Sequence, residues 1–176
     1  MKNLIKKIKE RINAKKKREM LENIKWANTL PRLDQVEMTR QIDKLDCRKE
    51  FQDQKKSVIK SGIELANSVS TLNSFKEEVD TYDLKDKFNI KMKTLLVQTI
   101  RSIHSLSGLD KIEESVFDLA DPEVTFDFII KTKTILLFTI EMAKNILFLI
   151  EIKERVECLN DDEVITLFKT KMSELS

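Results

Sequence analysis

The sequence predicts an all-α fold, and three observations carry that prediction. Two Gly and two Pro in 176 residues are too few for the turns that β-sheets need. Charged residues make up 35%, a composition of long helices with solvated faces. Apolar residues recur at helical spacing along most of the chain. The expected architecture is an antiparallel helical bundle of four to five main helices around a long buried helix at about 122–159. An N-terminal basic amphipathic helix precedes it. The expected division is a basic N-terminal helix or arm over 1–29 and the bundle over 30–176, a length that can bury a sizeable core.

In the first element, Met1, Leu4, Ile5, Ile8 and Ile12 share one helical face, with Lys2, Lys6 and Lys9 on the other. The phase breaks across the charge run Ala14–Glu19. Met20, Leu21, Ile24 and Ala27 then lie on a different face. The segment reads either as one helix twisting across the body or as a separate docking arm. Thr29 and Pro31 mark a helix end and a new start, and the lone Trp26 beside them is expected to pack in the core or at a hinge, with an interfacial anchor as the second reading.

Residues 33–56 are helical in propensity without a clean apolar stripe. From Val58 to Val79 a stripe is clear, and Gly62 within it points to a close helix contact, since a helical Gly costs about 1 kcal/mol relative to Ala. Asp80–Asp83 is the next break, with Asp80 or Asp83 as N-cap. Leu84, Phe88, Met92, Leu95, Leu96, Ile103 and Leu106 form the following stripe. Gly108 with Leu109 reads as a left-handed stop, and Asp110 with Glu113 as a capping box for a short helix through Leu119. Asp121 and Pro122 open the long helix, and Asn160 or Asp161 the last one, lined by Val164, Ile165, Phe168 and Met172. No internal repeat or low-complexity linker is evident.

Within the long helix, Thr134–Ile152 is apolar all round, so it must be enclosed by protein or lipid. About a dozen Ile, Leu and Phe at roughly −0.3 to −0.6 kcal/mol each are offset by Glu141 and Lys144 at about +2.5 to +3.5 each. The sum is near or above zero, which favours a buried helix over a membrane span.

Charge is distributed unevenly. Residues 1–25 hold ten Lys or Arg against three Glu, a net of +7, leaving 22 basic and 27 acidic residues, a net of −5, for the rest. That asymmetry describes a basic end seeking an anionic surface on a mildly acidic body.

Familiar chemistries are excluded one by one. His104 is the only His and lies off its apolar stripe, so a nucleophile–base arrangement lacks its parts. One His with the distant Cys47 and Cys158 leaves neither a zinc spacing nor a disulfide framework. Di-iron bundle sites fail on the same count. Two glycines cannot make a phosphate-cradling loop. Acidic groups such as Asp121 with Glu123, or Asp161 with Glu163, are placed as helix caps and lack an EF-hand pattern.

The expectation is therefore a non-enzymatic structural or interaction protein without cofactor, metal or small-molecule substrate. Its candidate residues for nucleic acid or another anionic surface are Lys6, Lys7, Lys9, Arg11, Lys15, Lys16, Lys17 and Arg18, with nucleic acid preferred. The alternative is a membrane-surface protein using the amphipathic N-terminus, or the 134–152 segment, to engage anionic lipid. A protein partner or self-association is also expected. Two free thiols and the lack of a cleavable apolar leader point to a cytoplasmic, reducing location.

Overall fold

The chain is all-α. The structure, a computed structural model, describes the backbone of residues 2–176 and the side chains of 6, 7 and 9–176. The expected apolar face of Met1, Leu4, Ile5 and Ile8, and Lys2 opposite, therefore lies outside the described side chains; Ile12 is described and exposed. Ten helices occur among the described residues: α1 Lys2–Trp26, α2 Leu30–Met38, α3 Arg48–Leu65, α4 Val69–Asn73, α5 Lys76–Val79, α6 Lys85–Ser102, α7 Leu106–Leu119, α8 Pro122–Glu141, α9 Ile146–Leu159 and α10 Asp162–Leu175. They form two compact units, Met1–Phe88 and Asn89–Ser176, with the boundary inside α6.

The long helix expected at 122–159 is two helices. Asn145 takes an extended conformation (φ −148°, ψ 158°), and its side chain accepts a hydrogen bond from the Phe148 backbone N–H. One Asn thus ends the run and caps the next helix. Each of the two helices buries one stripe: Leu136, Ile140, Ala143, Leu149, Ile152 and Val156 form a common core with Val164 and Phe168 of α10. Phe138, Met142, Leu147 and Ile150 are exposed, so the segment is not enclosed on every side. Apolar residues around the whole wheel arise because two stripes of different phase abut. No helix among the described residues is long and apolar enough to cross a membrane. Asn145→Ala is expected to cost about 0.5–2 kcal/mol, read by chemical denaturation.

The absence of a repeat is a second expectation the structure overturns. Extended helix-capping residues recur at Thr29, Ser68, Ser105 and Asn145, at spacings of 39, 37 and 40. Left-handed residues recur at Asp46, Asp83, Ala120 and Asn160. Between these marks the chain lays down one helix pair four times: α1 with α2, α3 with α4 and α5, α6 with α7, and α8 with α9. The final α10 takes the first-helix place of a fifth.

The buried residues keep the same register. Ile24, Ile63, Ile100 and Ile140 are equivalent, as are Leu33, Leu72, Leu109 and Leu149, and Phe51, Phe88, Phe128 and Phe168; all are buried. Met20, Ile59, Leu96 and Leu136 hold another such position, and Ile42, Val79, Val116 and Val156 one more. In the first pair, Met20, Ile24, Ala27, Leu33 and Ile42 form one cluster with Cys47 and Phe51 of the following helix. Pair four repeats that with Val164 and Phe168 of α10. The first and fourth pairs are therefore each closed by the first turns of the helix after them.

Other local expectations are corrected by the same register. Residues 39–47 are not helical; Arg48 clamps them, donating from Nε and Nη2 to Asp43 (2.8 and 2.7 Å) and from Nη1 to Glu37 (2.9 Å). That fork of hydrogen bonds holds the Asp43 carboxyl below its ordinary range. Gly108 lies in the first turn of α7, where its N–H donates to Ser105 Oγ, and no glycine has positive φ. The break falls at Ile103–Ser105, so Asp110 is mid-helix and pairs with Arg155 instead of capping. Asp83 is the left-handed residue before α6. Leu65 is exposed despite its place in the sequence stripe.

Gly62 behaves as its position implies. A Cβ there would stand 2.2 Å from Phe75 Cζ, so the ring occupies the missing methyl's space. Gly62→Ala gains about 1 kcal/mol of helix propensity against about 1–3 kcal/mol of overpacking. We expect a net loss of stability, whereas the exposed neighbour Ser61→Ala is neutral or mildly stabilising.

In the second unit the recurrence extends to ion pairs. Lys93 Nζ meets Asp121 at 3.0 Å and Glu123 at 2.7 Å, and Lys133 Nζ meets Asp161 at 3.0 Å and Glu163 at 2.8 Å. Asp121 and Asp161 also cap α8 and α10, each accepting two backbone N–H groups. Hydrogen bonding to Lys93 and to Lys133, followed by those N–H groups, holds both carboxyls below their ordinary value. The two lysines are held above theirs, chiefly by Glu123 and Glu163.

The carboxyl contribution is thus complete above the unfolded value of about 3.9 and is lost as pH falls through the lower folded values. The lysine contribution is complete below about 10.4 and is lost as pH rises through the higher folded values. Urea midpoints across pH are expected to fall at both extremes, and Lys93→Met with Lys133→Met is expected to flatten both limbs.

Candidate anionic-partner site

α1 is one continuous helix of 25 residues, about 37 Å long. Its C-terminal half belongs to the first core through Met20 and Ile24, which fixes the direction of the N-terminal half. At 100° per residue, Lys7, Arg11, Lys15 and Arg18 fall on one arc and trace a stripe about 16 Å long. All four are exposed. Lys6, Lys9 and Lys16 are exposed on other arcs, so the eight candidates do not share a single face.

Their electrostatic surroundings differ. Lys15 is 3.8 Å from Glu19, one turn on, with both groups well exposed, a pair worth a few tenths of a kcal/mol. Lys17 is half-buried, and its Nζ lies 3.5 Å from Asp46, the residue that ends the first pair. In the register Lys17 is equivalent to Lys56, Lys93 and Lys133, of which Lys93 and Lys133 are likewise paired with carboxylates. Lys6, Lys7, Lys9, Arg11, Lys16 and Arg18 have no acidic partner among the described residues.

Trp26 is placed differently from its sequence expectation: it is 74% exposed. Its helical phase carried that information, because at 100° per residue it lies near Lys15 and nearly opposite Ile24. Together with Asn23, Arg32, Gln35 and Thr39 it borders a shallow groove of about 350 Å³ between α1 and α2.

A groove of about 530 Å³ lies between α7, α8 and α9, lined by Glu113, Phe117, Phe128, Glu151, Glu154 and Arg155 among others. Phe117 and Phe128 meet edge to face there, with centroids 6.1 Å apart. Among the described residues no group of His, Cys, Asp and Glu is arranged to hold a metal ion. His104 is exposed on the α6–α7 turn, and Cys47 is buried, which pushes its thiol upward. Compared with protein-family models, curated proteins and solved structures, the chain matches none.

Proposed function

We propose that this is a non-enzymatic interaction protein of tandem helix pairs whose basic α1 docks on a polyanion, nucleic acid in preference to an anionic membrane surface. The observation that carries the reading is the set of unpartnered cations on α1. Lys93 and Lys133 are each neutralised by two carboxylates, whereas Lys7, Arg11 and Arg18 are exposed and have no carboxylate partner among the described residues. Cations held along a rigid rod can replace condensed counterions on phosphates, which drives association and makes it salt-sensitive. The stripe continues to Arg18, beyond the last N-terminal apolar residue, Ile12, which favours an extended polyanion over a flat interface.

The test is direct binding of the full chain to DNA and RNA oligonucleotides, with phosphatidylserine vesicles as the competing ligand. Truncation is unsuitable, because Met20, Ile24 and Ala27 are core residues; charge reversal at exposed positions is the appropriate perturbation. Binding to vesicles without binding to oligonucleotides would overturn the nucleic-acid reading.

A further inference from the structure

We propose that the nucleic acid is single-stranded and that Trp26 is the plate on which one of its bases stacks. The inference rests on the polyanion-binding role of α1 proposed above. Trp26 lies two turns beyond Arg18 on the same helix, so base-stacking surface and phosphate-binding charge share one rigid element. It is 74% exposed, and no packing requirement puts an aromatic there. The equivalent residues of the next three pairs are Leu65, Ser102 and Met142, all exposed, so in the third pair a serine fills the position. The fold therefore leaves the choice of side chain free, and the chain's only Trp occupies it.

The surroundings suit a base. Arg32, Asn23, Gln35 and Thr39 border the groove with Trp26, so a guanidinium and two amides share its lining with the indole. Arg32 Nη1 donates to Asn28 Oδ1 at 3.3 Å, which helps hold the guanidinium beside the groove. Amides and guanidinium can reach base edges or phosphate, while the indole takes the base face. A duplex keeps those faces stacked on one another, so only an unpaired strand can offer one.

The experiment follows Trp26 emission as the full chain is titrated at low salt with an oligothymidylate and with a duplex of equal length. The expected result is quenching by the single strand, tighter than any duplex binding. Trp26→Ala should weaken single-strand binding by about 5- to 150-fold while leaving duplex binding and thermal unfolding unchanged. Trp26→Phe should recover most of the loss.

Single-strand binding without quenching, or equal affinity for Trp26→Ala, overturns the stacking role while the polyanion role of α1 stands. Failure to bind either nucleic acid overturns both. An emission shift on phosphatidylserine vesicles alone assigns Trp26 to a lipid interface and likewise overturns the proposal.

Discussion

Leu149→Ala is expected to destabilise the second unit by about 2–5 kcal/mol, and Leu147→Ala, two residues away, by no more than about 0.5 kcal/mol. Leu149 is fully buried within the core shared by α8, α9 and α10, whereas Leu147 is 69% exposed. Truncating Leu149 removes its transfer free energy and leaves a cavity that the surrounding Leu136, Ile140 and Val164 fill only in part. For a unit of this size each kcal/mol moves the melting temperature by about 4–8 °C, so the two variants should separate by about six degrees or more. An enclosed rod over 122–159 would make both substitutions costly. The contrast therefore tests the break at Asn145 as well as the register. The equivalent Leu33→Ala should behave in the first unit as Leu149→Ala does in the second, since both are fully buried at one repeat position.

Combined reversal of Lys7, Arg11 and Arg18 to Glu is expected to weaken oligonucleotide binding by at least about 100-fold at low salt. A cation near an anionic surface contributes on the order of 1 kcal/mol, so losing three costs about 3 kcal/mol before any repulsion from the new carboxylates. All three side chains are exposed and none bonds to another of the described residues, so the unfolding free energy should hold within about 0.5 kcal/mol. Reversing Lys17 should act differently. Its Nζ approaches Asp46, so Lys17→Glu sets two carboxylates together at the end of the first pair and should lower stability. Fluorescence anisotropy and thermal unfolding on these two variants separate binding residues from a structural one.

Helical class and several caps were legible in the sequence because they depend on local chemistry. Asp121 with Pro122, Asp161, and Thr29 with Pro31 announce helix starts by residue type alone. The repeat was not legible, for a physical reason. Packing asks only for an apolar residue of about the right size, so Met20, Ile59, Leu96 and Leu136 fill one position with three residue types. Only Ile24, Leu33, Phe51 and their counterparts are identical in all four pairs, and the spacing drifts between 37 and 40 residues.

The break at Asn145 was hidden by its neighbours, since Ile146–Ile150 continues the apolar run of α8 without a Gly or Pro. For the candidate site, the basic character of residues 1–25 was plain from composition. The separation of Lys17 from Lys7, Arg11 and Arg18 was not, because it depends on Asp46, 29 residues away. Trp26 was misread because an aromatic beside a helix end is commonly packed, although its phase on the helix already set it apart from Ile24.

The most direct test of α1 as the polyanion-binding element is the dissociation constant of the full chain for a single-stranded oligonucleotide, measured across a series of NaCl concentrations. With four to six phosphates neutralised, the logarithm of the association constant should fall against the logarithm of salt with a slope of about −3 to −4. The Lys7, Arg11, Arg18 reversal should make that slope shallower by about 2. Binding that ignores salt, or a steep slope that survives the reversal, would contradict the assignment of α1.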